Sequence, residues 1–155
     1  MLKPLSGLLS NQVLICALLA WLVAQLLKIP LYRLVEKKWD FRRFFGSGGM
    51  PSSHTALVIA LTLMTGAVEG FDTAQFAICV ALSAIVMVDA AGVRRETGTQ
   101  AQIINEILRR MFVEGQKISG EELKELVGHT PLEVLGGASV GLIVTVLYLL
   151  LVIPK

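Results

Sequence analysis

The chain has 155 residues, of which 54% are hydrophobic and 17% charged, with a mean hydropathy of +0.69; this excludes an average soluble domain and marks an integral membrane protein. A net charge of +2 gives no excess that would hold nucleic acid, so the basic residues matter through where they cluster. The two cysteines, Cys16 and Cys79, fall inside apolar runs without metal-ligand spacing and read as buried thiols.

The first apolar run, residues 13–30, is long enough to cross most of a bilayer core at about 1.5 Å per residue. Without a small-residue cleavage site leading into a soluble domain, it reads as a retained span. Gln25 and Lys28 interrupt its end; Lys28 is read as snorkelling to the interface, the alternative being a role facing other helices. Residues 31–45 carry Arg33, Lys37, Lys38, Arg42 and Arg43 among Leu34, Val35, Trp39 and Phe41, the pattern of a helix lying on an anionic membrane surface. A second span is predicted over 54–68, short for a full crossing, so its start lies at or slightly below the headgroups. The acidic turn Glu69-Gly70-Phe71-Asp72 joins it to a third span, 73–88, as an antiparallel hairpin.

Residues 100–127 hold further interfacial segments. Ile103, Ile104, Ile107, Leu108, Met111 and Phe112 recur at i, i+3, i+4 spacing, and Ser119-Gly120-Glu121-Glu122 is a capping-box pattern opening a short helix that Gly128 ends. A last span covers 132–153. The predicted fold class is therefore all-α: one membrane domain over 1–155, a helical bundle of about four transmembrane helices with interfacial amphipathic helices. Basic clusters follow the first and third spans, and the positive-inside rule puts both on the cytoplasmic side of the cell membrane. Small residues at Gly66, Gly136, Gly137, Ala138, Ser139 and Gly141 supply close-packing surface and predict a homodimer.

Glycine, proline, hydroxyls and a histidine crowd together in one segment, Gly46-Ser47-Gly48-Gly49-Met50-Pro51-Ser52-Ser53-His54-Thr55-Ala56. Gly46, Gly48 and Gly49 allow positive φ, Pro51 suits a first helical position or the turn before it, and Ser52 or Ser53 can cap. The unpaired N–H groups of such a helix start attract phosphate, and His54 in the first turn can exchange a proton with it. An ordinary Gly/Pro turn with a capping serine is the alternative. With the predicted topology, His54, Asp89, Arg94, Arg95, His129 and Glu133 all emerge on one side of the membrane. Two histidines, two arginines and two carboxylates around a helix N-terminus suit phosphoryl transfer. Structural roles compete: Thr130 and Glu133 form a capping box with Pro131 at the first helical position, and Asp89 can pair with Arg94 or Arg95. No metal is expected, since neither His-x-x-x-His nor Cys-x-x-Cys occurs.

Pro51-Ser52-Ser53-His54 resembles the Pro-Ser-Gly-His motif of the type 2 phosphatidic acid phosphatase and vanadium haloperoxidase superfamily, and His129 with Glu133 four residues on resembles its His-x-x-x-Asp motif. Gly-Gly-Met-Pro-Ser-Ser-His, Asp-Ala-Ala-Gly-Val-Arg-Arg and Gly-His-Thr-Pro-Leu-Glu-Val together resemble a divergent branch of that superfamily, small bacterial and plant integral membrane proteins, across nearly the whole chain. The resemblance implies a membrane-embedded phosphatase acting on a lipid phosphate or diphosphate through a phosphohistidine, with no cofactor. It implies His129 as nucleophile, Glu133 as its orienting carboxylate and His54 as general acid. Ser52, Ser53, Gly49, Arg94 and Arg95 would bind phosphate, with Asp89, Lys38 and Arg43 in support; the partners implied are membrane lipid and a phosphorylated lipid substrate. The sequence departs from the superfamily pattern at several points. Ser53 stands for glycine, Glu133 for aspartate, Leu123 for the arginine six residues before the nucleophile, and the first motif, a lysine seven residues before Arg-Pro, has no counterpart. Two other functions fit the same fold: a non-enzymatic binder of anionic lipid headgroups, and a small lipid-phosphate transporter using Gln25 and Lys28.

Overall fold

The computed structural model describes residues 7–37, 49–111 and 129–152. Lys38, Arg42 and Arg43, with the rest of the basic segment to Gly48, and the segment from Phe112 to Gly128 lie outside the described residues.

Helix α1, Gln12–Glu36, starts where the Asn11 side chain accepts the Leu14 N–H at 3.0 Å, and ends at Lys37, whose left-handed backbone (φ 56°) turns its N–H onto the Arg33 carbonyl. It runs through Pro30 rather than stopping there, so the expected break between a span to residue 30 and a separate surface helix is absent up to Glu36. Proline removes one N–H from the ladder, and the helix continues past it all the same. Helix α2, Ser53–Glu69, is capped by Ser52, and Gly70 closes it. Thr73 caps α3, Ala74–Ala91, while its hydroxyl donates to the Gly70 carbonyl at 2.8 Å; Phe71 and Phe76 stack edge to face at 5.1 Å in this hairpin. Helix α4, Val93–Met111, follows α3 after a break at Gly92, and α5, Pro131–Leu151, opens behind Thr130.

The described residues thus form an all-α bundle. Gln12–Leu34 within α1, α3 and α5 are each long and apolar enough to cross a membrane, and α2, with 17 residues, is a shorter apolar helix held among them. Large apolar side chains that would be a fault in water, such as Ile78, Ile85 and Val88 on α3 and Leu142, Ile143 and Leu147 on α5, point outward. In lipid they meet a solvent as apolar as themselves. Helix α4 is amphipathic, with Ile103, Ile104, Ile107 and Leu108 exposed together.

Inside, the helices pack through small side chains. Cys16, Ala20 and Ala24 on α1 and Ala56, Ala60 and Met64 on α2 recur every four residues, and together with Tyr148 of α5 they form the core. Gly137 and Gly141 of α5 face the carbonyls of Ser52 and Ala56 of α2, so close that a Cβ would lie 2.3 Å and 2.6 Å from those oxygens. The matched four-residue steps, 137 to 141 and 52 to 56, make α2 and α5 parallel. Gly136, Gly137 and Gly141 are therefore engaged within the chain, which removes them from the surface on which the homodimer expectation rested. Contacts of Lys28 with Ser53 and of Cys16 with Thr145 make α1 antiparallel to both, and a hydroxyl bond between Thr62 and Ser83 (2.8 Å) and one from Ser83 to the Val58 carbonyl (3.0 Å) tie α3 to α2. One end of the bundle consequently gathers the last turns of α1, the start of α2, the end of α3 and the start of α5.

Candidate functional site

At that end the Gly49–Ser53 turn forms first. Gly49 takes φ 89°, a conformation L side chains rarely adopt, and the Met50–Pro51 bond is cis. Of the two serines, Ser52 is the cap: its hydroxyl accepts from the Thr55 N–H at 3.4 Å and the Thr55 hydroxyl at 3.0 Å. Ser52 also donates its own N–H to the Glu133 carbonyl at 3.0 Å, which fastens the start of α2 to the first turn of α5. Ser52 and Ser53 are buried, whereas His54, the second residue of α2, is exposed.

The second motif comes to the same place through α3. The His129 N–H donates to the Ala90 carbonyl at 3.0 Å, so the residue next to Asp89 anchors the histidine; Asp89 itself is half-buried. Thr130 caps α5 in a full capping box, its hydroxyl accepting from the Glu133 N–H at 3.3 Å and its N–H donating to Glu133 Oε2 at 3.1 Å. The same Oε2 lies 3.0 Å from His129 Nδ1. One carboxylate oxygen therefore serves both as helix cap and as imidazole partner, so the structural and chemical readings of Glu133 coincide.

His129 is 3% exposed, and its Nε2 is buried without a hydrogen-bond partner among the described residues. A buried polar nitrogen left in that condition costs about 1–3 kcal/mol. In the tautomer that donates Nδ1–H to the carboxylate, the Nε2 lone pair is the one a nucleophilic imidazole would use.

Arg94 and Arg95 fall in the first turn of α4, immediately after the end of α3; their side chains, like Lys38 and Arg43, lie outside what is described. Among the described residues, no group of three or more His, Cys, Asp or Glu could hold a metal ion.

Lys28 is where the sequence reading fell short. It does not snorkel: it is 1% exposed, and its Nζ donates to the Ser53 hydroxyl at 3.4 Å. Gln25, one turn earlier, is likewise buried. The signal available was their i, i+3 spacing, which puts both polar groups on one face of an otherwise apolar helix.

No solved structure matches the chain. The chain is 38% identical over 148 residues to the uncharacterized membrane protein YuiD of Bacillus subtilis (strain 168), an alignment covering 89% of this chain and 94% of that protein. The profile of the Divergent PAP2 family matches residues 9–144, and the chain, an integral membrane protein with the two motif-bearing helix starts drawn to one end of its bundle, belongs to that family.

Proposed function

We propose that the chain is a membrane-embedded phosphatase that hydrolyses a lipid phosphate or diphosphate through a phosphohistidine. The observation that carries the reading is the buried His129, with Nδ1 on the Glu133 carboxylate and Nε2 without a partner among the described residues, next to a helix start bonded to the same turn. In the proposed reaction the α2 start and its serine hydroxyls hold the phosphoryl oxygens. The Nε2 lone pair attacks phosphorus, the bond to the leaving lipid oxygen breaks, and His54 donates a proton to that oxygen. Glu133 accepts the Nδ1–H bond and stabilises the charge that develops on the ring. In the second half, neutral His54 takes a proton from water as the water oxygen attacks phosphorus; the P–N bond breaks and inorganic phosphate leaves. Arg94 and Arg95, from the first turn of α4, would add charge around the phosphoryl oxygens.

The reading puts the site at the cytoplasmic face, because Arg33 and Lys37 close α1 at the end where α2 and α5 start. A non-enzymatic headgroup binder is the second reading, favoured by the capping box, which explains Glu133 without any chemistry.

The test is release of inorganic phosphate by the purified protein from a panel of lipid phosphates and from an aryl phosphate with a good leaving group. His129→Ala is expected to abolish release from both. His54→Ala is expected to lose about 10²–10⁴-fold on the lipid and to recover in part on the aryl ester, whose leaving group needs no proton. Equal loss on both substrates for both histidines rejects the role assignment. No release from any substrate by the unmodified protein moves the reading to the binder, or to a transporter if labelled lipid phosphate crosses vesicles intact.

A further inference from the structure

Helix α4 is turned the opposite way from an amphipathic helix of a soluble domain, which buries its apolar side. Gly98 and Asn105, seven residues apart and so on one face, are buried, Asn105 at 5% exposed. Ile103, Ile104, Ile107 and Leu108, on the side away from them, are between 41% and 55% exposed. We propose that this outward apolar face docks on the surface of the membrane the bundle itself crosses, at the leaflet beside the candidate site, and that the leaflet it fits is anionic. The proposal is independent of the chemistry at His129.

Position names the occupant. Helix α3 is long and apolar enough to cross the membrane, and Ile85 and Val88 near its end face outward as lipid-covered surface. Its last turn reaches the site end of the bundle, where the Ala90 carbonyl accepts the His129 N–H at 3.0 Å. Only Gly92 separates α3 from α4, and its backbone, at φ −107° and ψ −87°, leaves helical geometry, so α4 does not have to extend the axis of α3. Among the described residues α4 packs chiefly on α3, so the bundle offers its apolar face no cover. Run straight out into water, the helix would hold Ile103 to Leu108 about 15–22 Å beyond its own start. Laid along the leaflet, it puts them in the same lipid that covers Ile85 and Val88.

Charge names the kind of leaflet. The sequence of α4 places Arg94 and Arg95 in its first turn and Arg109 and Arg110 in its last, four arginines against the two glutamates Glu96 and Glu106. An apolar face on a basic helix is the pattern that lies in an anionic interface, where each arginine near the surface adds attraction to the burial of the apolar side chains. A second copy of α4 would bring the same surplus of positive charge against itself. Docking also fixes the depth of the joint at Gly92, two residues from the carbonyl that holds His129, so the leaflet that covers α4 adjoins the candidate site.

The test uses the full chain in lipid nanodiscs, with a nitroxide on one introduced cysteine at a time: Ile104→Cys and Ile107→Cys on the apolar face, Gln102→Cys and Glu106→Cys beside it. All four positions are exposed, so the substitutions remove little packing, and the unmodified chain labelled in parallel gives the background from Cys16 and Cys79. Collision with oxygen, which concentrates in lipid, is compared with collision with a water-soluble nickel chelate. In equal parts dioleoyl phosphatidylglycerol and dioleoyl phosphatidylcholine, the labels at 104 and 107 are expected to favour oxygen and those at 102 and 106 to favour nickel. Nickel favoured at 104 and 107 puts the face in water and overturns the proposal. Exclusion of both reagents there means that a protein surface covers the face, a second copy or another partner, and overturns it as well. In phosphatidylcholine alone the oxygen preference at 104 and 107 is expected to fall, and Arg109→Gln with Arg110→Gln is expected to lower it in the anionic discs. An unchanged preference in phosphatidylcholine overturns the assignment to an anionic leaflet, and an unchanged preference in the double variant overturns the role given to those two charges.

Discussion

The contact between α2 and α5 gives the sharpest test of how the site is held. At Gly137 an added Cβ would lie 2.3 Å from the Ser52 carbonyl oxygen and 3.0 Å from Thr55 Cβ, where ordinary contact begins at 3.4 Å, so α5 must move from α2 by roughly 1 Å. Neither neighbour can give way cheaply. The Ser52 oxygen accepts the Ala56 N–H at 3.1 Å, and the Ser52 N–H is bonded to the Glu133 carbonyl at 3.0 Å, so moving Ser52 stretches both. Overpacking of this kind costs about 1–3 kcal/mol, and loss of the Ser52–Glu133 bond adds about 1 kcal/mol. Gly137→Ala is therefore expected to destabilise the bundle by about 2–4 kcal/mol, and to slow any reaction needing Ser52 and His129 on one phosphate by about 10²-fold. Gly136→Ala is the internal control. Its Cβ would meet the tip of the Met50 side chain at 3.2 Å, which can swing aside, so its cost should stay within about 0.5 kcal/mol. The assay is reversible unfolding of both variants in mixed micelles, read by circular dichroism. Equal midpoints for Gly136→Ala, Gly137→Ala and the unmodified protein would refute the argument, because they would mean that the helices are not in backbone contact at Ser52.

Thr130→Ala removes the cap of α5 but neither imidazole nor carboxylate, so it should cost about 1 kcal/mol of stability and leave the turnover expected of His129 nearly intact, whereas Glu133→Gln should do the reverse; phosphate release and unfolding measured on both variants check this. The hydroxyl pair Thr62 and Ser83 should contribute about 0.6 kcal/mol of coupling between α2 and α3, measured by a double-mutant cycle with Thr62→Val and Ser83→Ala; a coupling near zero would mean that each hydroxyl is satisfied by the backbone carbonyls it also meets, Val58 and Cys79 for Thr62 and Val58 for Ser83.

The fold class was legible because apolar runs and their interruptions are one-dimensional signals. The all-α bundle follows from those runs, and the glycine-proline turn before residue 54 announced a helix start whose cap proved to be Ser52. What the sequence could not convey was lateral. Pro30 reads locally as a terminator, yet the helix continues through it to Glu36. Lys28 reads locally as a snorkelling side chain near a helix end, and only the position of α2 makes its surroundings closed. The glycines at 136, 137 and 141 read as packing surface without saying against what, and their partners are the start of α2 and the turn before it.

Ser52 links these levels. Its hydroxyl caps α2, its N–H holds the Glu133 carbonyl, and its carbonyl lies against Gly137 in the helix contact. Glu133 in turn caps α5 and orients the His129 ring through one oxygen. The helix start that could hold a phosphate and the imidazole that could attack it are thus tied together through the Gly137 contact and the hydrogen bonds of Ser52 and Glu133. The starts of α2 and α5 are joined in backbone contact along the α2–α5 seam, and α1 brings Lys28 against the start of α2 from another side. Substitutions along the seam should therefore change stability and any function of the two helix starts together.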